Sequence, residues 1–427
     1  MTATPGLVRA IGRWSLAALT VNSVLGSGVF GLPSVVAGLL GDASPLAVLL
    51  GGGGIAVVYA CYAEVASQFT ETGGTYLYVR VAFGRLAGIQ VGWFLLLVRL
   101  TACAANANLL VITLGEFWPE ATQPAPRLLI LTLLLGTLAA VNYRGVRDGA
   151  RLSNVFVLAK LLPLAIVCLA GSYFLIANSR VLPGAAPAGT HADWMKAMLL
   201  LFFAYGGAES SLTPTSEAKD PRRDAPFGLL VALLAITLIY TVIQWVVVGV
   251  LPDPGHSVRP LADTARIVLG HGGAAFISMG ALVSIYGYLG ASMLTVPRST
   301  FALAERGDFP AWFASIHPRF RTPHHSILVF VALVWLLALF GSFAWNATLS
   351  GVGRLLYYGL VCGAVPVLRR KQPEAASLRL PGGPFIPALG IAICALLLTG
   401  VDLSKSLILA ATVSIGLLNW WIVEHAR

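Results

Sequence analysis

The chain has 427 residues, 57% of them hydrophobic and 11% charged, with a mean hydropathy of +0.82 and a formal net charge of +10. An average soluble domain carries roughly 25% charged residues, so a soluble fold is excluded and an all-α polytopic membrane protein is expected, with the lipid bilayer as its solvent. The positive charge does not indicate nucleic-acid binding, because the basic residues lie in short connections between apolar runs and no basic patch alternates with exposed aromatics.

The first apolar run covers about residues 14–40, enough for one span at roughly 20 residues. Its middle reads V-N-S-V-L-G-S-G-V-F-G-L-P over residues 21–33, with Gly26, Ser27 and Gly28 followed by Gly31 and Pro33. Such residues are poor material for a continuous helix. Freed backbone groups survive in hydrocarbon only where they line a protein cavity. Two readings follow: half of a binding site, or a glycine-lined helix–helix contact. Nothing here has the form of a cleaved signal peptide, since the run is too long and contains Pro33.

Further apolar runs follow at 45–69, 85–117, 127–143, 153–177 and 193–215, then at 226–251, 272–300, 324–342, 346–368, 385–401 and 404–423. That makes about twelve candidate helices in all. The sixth run, L-F-F-A-Y-G-G-A-E-S-S-L-T-P, is interrupted at Gly206 and Gly207, with Glu209 at membrane depth and Pro214 beyond. With a cytoplasmic N-terminus, nineteen of the 28 Lys and Arg residues fall on the inside and six on the outside, as the positive-inside rule asks. Both termini are then cytoplasmic. Arg99, Lys160 and Arg354 remain within spans. Five spans separate the two interrupted helices, so the sixth enters from the opposite face to the first. Paired breaks in antiparallel halves point to a transporter site at an inverted-repeat interface, and the packing-only reading of Gly26–Gly28 loses ground.

Several of these stretches resemble one family. G-S-G-V-F-G-L-P at 26–33 is similar to the first-helix signature of the amino acid–polyamine–organocation superfamily. E-V-A-S-Q-F-T-E-T-G-G-T-Y-L-Y at 64–78 and N-Y-R-G-V-R at 142–147 resemble its second-to-third and fourth-to-fifth connections. F-A-Y-G-G-A-E at 203–209, E-A-K-D-P-R-R-D-A-P at 217–226 and R-S-T-F-A-L-A-E-R-G-D-F-P at 298–310 resemble the sixth helix, its following loop and the eighth-helix exit. The resemblance implies one transporter domain over 1–427, with a five-plus-five inverted repeat like that of sodium-coupled leucine transporters. Residues 14–177 form the first repeat and 193–368 the second, and 385–423 supply two further helices. It also implies amino acids or related amines as substrates, and transport as uptake or as exchange.

An amino acid zwitterion needs donors for its carboxylate and acceptors for its ammonium. The half-helix starting after Val24–Gly26–Ser27–Gly28 offers free N–H groups and the positive end of a dipole. Carbonyls near Phe203, Ala204 and Gly206 suit the ammonium, a division that the resemblance also implies. Ser27 offers a hydroxyl or is simply small enough for a tight turn. Phe203 or Tyr205 is either an aromatic gate or core. Lys160 is either a snorkelling lysine or, as the resemblance implies, an ammonium that touches carbonyls near Gly26 in place of a sodium ion and exchanges a proton during transport. Glu209 matches a gating, proton-sensitive glutamate of agmatine exchangers, or else is buried in a structural pair with Arg99 or Arg354.

Ser292 stands where those exchangers carry a bulky tryptophan, so an aromatic shelf for a guanidinium is missing there. Arg99 and Arg354 add positive charge, which disfavours a cationic substrate and favours a neutral amino acid. Asn106 and Asn108 on the third helix either line the cavity or hydrogen-bond between helices, the second being the preferred reading for each. Glu64, Arg144, Glu217, Lys219 and Arg222 are either a cytoplasmic gate network or solvated charges.

An intramembrane enzyme would need a nucleophile–base pair or metal cluster inside the spans. The seven histidines lie in connections or at a terminus, and the five cysteines have no CxxC or His-rich spacing, so neither metal nor other cofactor is expected. A channel would want a filter sequence or a ring of like charges, and none is visible. The reading is a sodium-independent, proton-coupled amino acid permease, with an exchanger as the alternative. The Ala/Gly/Arg-rich composition points to a bacterial inner membrane, and the oligomeric state stays open.

Overall fold

The computed structural model describes residues 12–69, 73–145, 149–178, 189–209, 220–372 and 376–425. Among these, all regular structure is helical. The helices are α1 (Arg13–Val24), α2 (Gly28–Leu40), α3 (Ser44–Ala66), α4 (Gly74–Phe83), α5 (Arg85–Leu114), α6 (Pro124–Arg144) and α7 (Gly149–Ala177). They continue as α8 (His191–Ala204), α9 (Pro221–Val250), α10 (Pro260–Glu305), α11 (His324–Phe340), α12 (Phe343–Lys371), α13 (Phe385–Leu398) and α14 (Leu403–His425).

Each apolar run expected as a span carries helix. Among the described residues, eight segments are long and apolar enough by themselves to cross a bilayer, and α11 and α13 are shorter apolar helices. Two elements were not anticipated. One is α4, a short helix in the 64–78 connection. The other is the first part of α10, because the chain bends at Gly270 (φ 78°) and a separate short helical segment from Pro260 precedes the long apolar rod.

Pattern and packing agree on which helices are inside. Of the eight span-length segments, α5 and α12 are the most buried and pack on each other, while α6 and α14 are the least buried. Leu169, Tyr173, Leu234, Leu238 and Phe340 are exposed large apolar side chains, as a lipid-facing perimeter requires. Around the centre, α1 packs on α9, α2 on α8, α12 on α8 and α3, and α10 on α5 and α7. Gln244 of α9 fastens this arrangement by donating to the Pro33 carbonyl and to Ser44 Oγ, both at 2.9 Å.

Charged clusters hold the ends. Asp308 is fully buried and receives Arg80 and Arg85 at 2.7 and 2.8 Å, with the Tyr76 hydroxyl alongside. Glu64, also buried, takes a two-pronged contact from Arg369 at 2.6 and 2.7 Å and the backbone N–H of Leu380 at 2.8 Å. This corrects the expected grouping. The partner of Glu64 comes from the end of α12, Arg144 is exposed, and Glu217, Lys219 and Pro214 lie outside the described residues, as does the side chain of Arg222.

Candidate functional site between two helix breaks

α1 stops at Val24 and α2 restarts at Gly28, leaving Leu25, Gly26 and Ser27 out of helix. The restart is capped by the Ser27 carbonyl, which accepts from Phe30 N and Gly31 N at 3.1 Å. The first N–H groups of α2 have no partner within the helix. α8 ends at Ala204, and Tyr205, Gly206 and Gly207 form a turn.

The two breaks touch. A Cβ on Gly28 would come 3.0 Å from Ala204 Cα, and one on Gly207 would come 2.7 Å from the Ser23 carbonyl oxygen. Gly207 also has φ 122°, a conformation closed to L side chains at ordinary cost. Gly207→Ala is therefore expected to cost about 1–3 kcal/mol in backbone strain alone and to separate the breaks. Purified variant protein should show a lowered melting temperature, and an unchanged one would contradict the close approach.

Tyrosines stitch the opened ends. The Tyr240 hydroxyl on α9 lies 3.3 Å from both the Val24 and the Ala204 carbonyl oxygens, the last carbonyls of α1 and α8. Tyr59 on α3 donates to the Tyr205 carbonyl at 2.8 Å. The Phe203 carbonyl accepts from Gly206 N at 3.1 Å. Each carbonyl oxygen has a second lone pair to offer.

A small cavity of about 20 Å³ lies at this junction, room for about one water molecule. Val24, Gly26, Ser27 and Gly28 form one wall, and Phe203, Ala204 and Gly206 another. Arg99 and Asn106 of α5, Tyr288 of α10 and Arg354 of α12 complete it. Three buried polar atoms on these residues have no partner among the described residues: Ser27 Oγ, Asn106 Oδ1 and Arg354 Nε. Buried polar atoms are rarely left so, and here all three belong to residues of one cavity.

Other expected residues take different positions. The Tyr205 ring is fully buried and donates to the Val48 carbonyl at 2.8 Å, so its side chain lies in the packing against α3 and not at the cavity. Of the two expected aromatic gates, only Phe203 lines the space. Ser292 is buried beside Cys103 and Tyr288, and Tyr288, one turn earlier, is the α10 residue in the cavity wall. Asn106 lines the cavity, contrary to the interhelical bond expected of it; its Nδ2 donates to Ala102 of its own helix at 2.8 Å. Asn108 makes the expected interhelical bond, to Gly341 at 3.1 Å, and accepts from Arg127 at 3.0 Å.

Glu209 and Arg354 form a buried ion pair. Glu209 also accepts from the hydroxyls of Tyr357 at 3.0 Å and Tyr358 at 3.1 Å and from Gly207 N at 2.9 Å. Of the two arginines expected as partners, Glu209 pairs with Arg354, which is 2% exposed and lies inside the bundle. Lys160 is 6% exposed and donates to the carbonyl and the side-chain Oδ1 of Asn22 at 3.0 and 3.1 Å. It therefore grips the last turn of α1, four residues before Gly26, and does not snorkel. Tyr59, Tyr240 and Tyr288 were not singled out in the sequence, where a tyrosine within an apolar run reads as core.

A family model described as amino acid permease matches residues 11–411. The chain belongs to the amino acid permease family. Its relatives include a methylthioribose transporter of Bacillus subtilis, 29% identical to this permease, with 91% of the chain and 87% of the relative covered. A serine/threonine exchanger of the same species is 27% identical over 91% of the permease and 90% of the relative. A branched-chain amino acid permease, also from Bacillus subtilis, is 26% identical over 92% and 88%. A multi-pass membrane transporter of the amino acid–polyamine–organocation superfamily is thereby established.

Proposed function

We propose that this permease is a secondary active transporter that moves amino acids across the cytoplasmic membrane by alternating access, with a proton as coupling ion and without sodium. The observation that carries the reading is the small cavity between the two breaks, lined by the helix ends and by the residues of three polar atoms without a partner among the described residues. On this reading α1 with α2 forms the first of twelve spans. α3, α5, α6 and α7 complete the first repeat, α8 to α12 form the second, and α13 and α14 follow. Both termini are cytoplasmic, in keeping with the Lys and Arg distribution.

The substrate carboxylate binds the N-terminus of α2 and Ser27, and its ammonium binds carbonyls at Phe203–Gly206. Phe203 covers the ligand. Lys160 holds the end of α1 as an internal cation, where it releases and regains a proton during the cycle. Glu209 and Arg354 couple the second break to α12. Relatives named for branched-chain amino acids and for serine and threonine are in keeping with an amino acid cargo. The exchanger supports a second reading, obligate exchange, which would show as uptake only into preloaded vesicles.

The test is a thermal-shift screen of purified protein against the common amino acids, polyamines and methylthioribose, since a ligand that binds the folded state raises its melting temperature. Stabilisation by one or more amino acids is expected, with none by polyamines. Stabilisation by methylthioribose alone would replace the amino acid with the cargo of the first relative.

A further inference from the structure

The last helix, α14, packs on α5 and touches α12. Asn419 ties it to the exit of α10 by donating from Nδ2 to the Asp308 carbonyl at 2.7 Å. Just beyond α10, Phe309 and Phe313 join Ala304 in a small apolar cluster of their own, and the Phe309 ring lies 4.6 Å from that of Trp93 on α5. Between this cluster and α14 lies a groove of about 410 Å³, inside the range of roughly 300–1,000 Å³ found for ligand pockets. Trp93, Phe309 and Ala311 form one side of it, and Ile415, Leu418 and Ile422 the other.

Three features say what fills this groove. It opens on the lipid-facing perimeter, because Ile415, Leu418 and Ile422 are exposed on a helix of span length. From Ile415 to Ile422 the helix rises roughly 10 Å, against roughly 15 Å for one leaflet of a hydrocarbon core about 30 Å thick. Finally, Trp312 and Trp421 adjoin the lining at Ala311 and Ile422, and both are exposed, as aromatic side chains at the headgroup level are. The charges at this end are balanced. Arg80, Arg85 and Arg306 stand against Asp308, Glu305 and Glu424, with Arg85 bonded to both Asp308 and Glu424, so no net field selects a headgroup. Within a bilayer the gain on filling such a space is dispersion contact, which an unfilled apolar wall forgoes.

We propose that the groove is a binding site for an acyl chain of a membrane phospholipid, which wedges α14 against the exit of α10 and stays with the protein when it leaves the bilayer. The chain is what the groove recognises, and the headgroup is not. Occupancy steadies the charged cluster beside it: Gly307, another lining residue, accepts from Arg85 Nη2 at 2.7 Å, and Asp308 follows it directly. This inference stands apart from the identity of the transported solute.

The test uses the full chain, washed free of lipid in detergent. Its melting temperature is measured with dioleoyl phospholipids of neutral and of anionic headgroup, and with a dihexanoyl phospholipid as a short-chain control. Native mass spectrometry then shows what stays bound. Both dioleoyl lipids are expected to raise the melting temperature alike and to be retained, and the dihexanoyl lipid to do neither. Ala311→Trp, whose ring takes the space of the chain, should lose both the retained lipid and the response. A response confined to one headgroup, or equal retention by the variant, would overturn the site. So would a lipid-free dimer that Ala311→Trp dissociates, since a second copy would then occupy the groove. Should Ala311→Trp not fold, an equimolar chain-brominated phospholipid decides the matter. It is expected to quench the part of the fluorescence that Trp93→Phe removes, and an unquenched Trp93 would overturn the proposal.

Discussion

Replacing Lys160 with alanine is expected to abolish uptake into proteoliposomes while leaving a folded protein. The Nζ donates to two oxygens of Asn22 at 3.0 and 3.1 Å, and these bonds hold the last turn of α1 against α7. Hydrogen bonds from a charged donor are each worth about 1.5–3 kcal/mol, so losing both shifts the position of the α1 end by well over tenfold in population. The opened carbonyl end then loses its cation, and nothing restores the geometry from which α2 restarts. Sodium added outside does not rescue the variant, because the acceptors at Asn22 are set for an ammonium. Unimpaired uptake by Lys160→Ala would remove the residue from the transport cycle. Sodium-dependent rescue would show instead that the position is an ordinary cation site.

The second large effect is at the Glu209–Arg354 pair, which is 4% and 2% exposed. Removing one partner of a buried ion pair costs about 3–5 kcal/mol because the other charge is left behind. Arg354→Met strands the Glu209 carboxylate among Tyr59, Tyr357 and Tyr358, and Glu209→Gln strands the guanidinium at the cavity wall. Both single variants are expected to melt well below the parent protein in detergent. The double variant should recover part of the loss, since neither charge remains. A double variant whose loss equals the sum of the singles would show that the two side chains do not act as a pair. The pH profile of uptake by Glu209→Gln separates structure from coupling. An unchanged profile in whatever activity survives assigns Glu209 a structural role only.

The scaffold was largely legible in the sequence because the bilayer demands it. Apolar runs of span length bounded by charge, Pro or Gly have few options other than helix. The breaks were visible for the same reason: Gly26, Ser27 and Gly28, and then Gly206 and Gly207, are small residues where a helix would otherwise continue. Lys160 and Glu209 stood out as charges in apolar surroundings.

What escaped notice depends on partners distant in the chain. Tyr240 reaches Val24 from 216 positions away, and Glu64 meets Arg369 across 305. Nothing local marks such pairs. Asn106 and Asn108 show the limit well, for they sit two residues apart on α5, so that one faces the cavity and the other Gly341. The sequence names both asparagines and leaves their direction to packing. α4 and the segment after Pro260 were missed because they are shorter than a span and carry polar residues.

The central claim is that substrate sits between the two helix breaks. A cryo-electron-microscopy map of the protein with a saturating amino acid taken from the thermal-shift screen tests it directly. The account predicts ligand density bounded by Gly26–Gly28, Phe203–Gly206 and Arg99, with its carboxylate at the start of α2. Density for the bound amino acid elsewhere, with the Ser27 and Arg354 side chains making no contact to it, would contradict it.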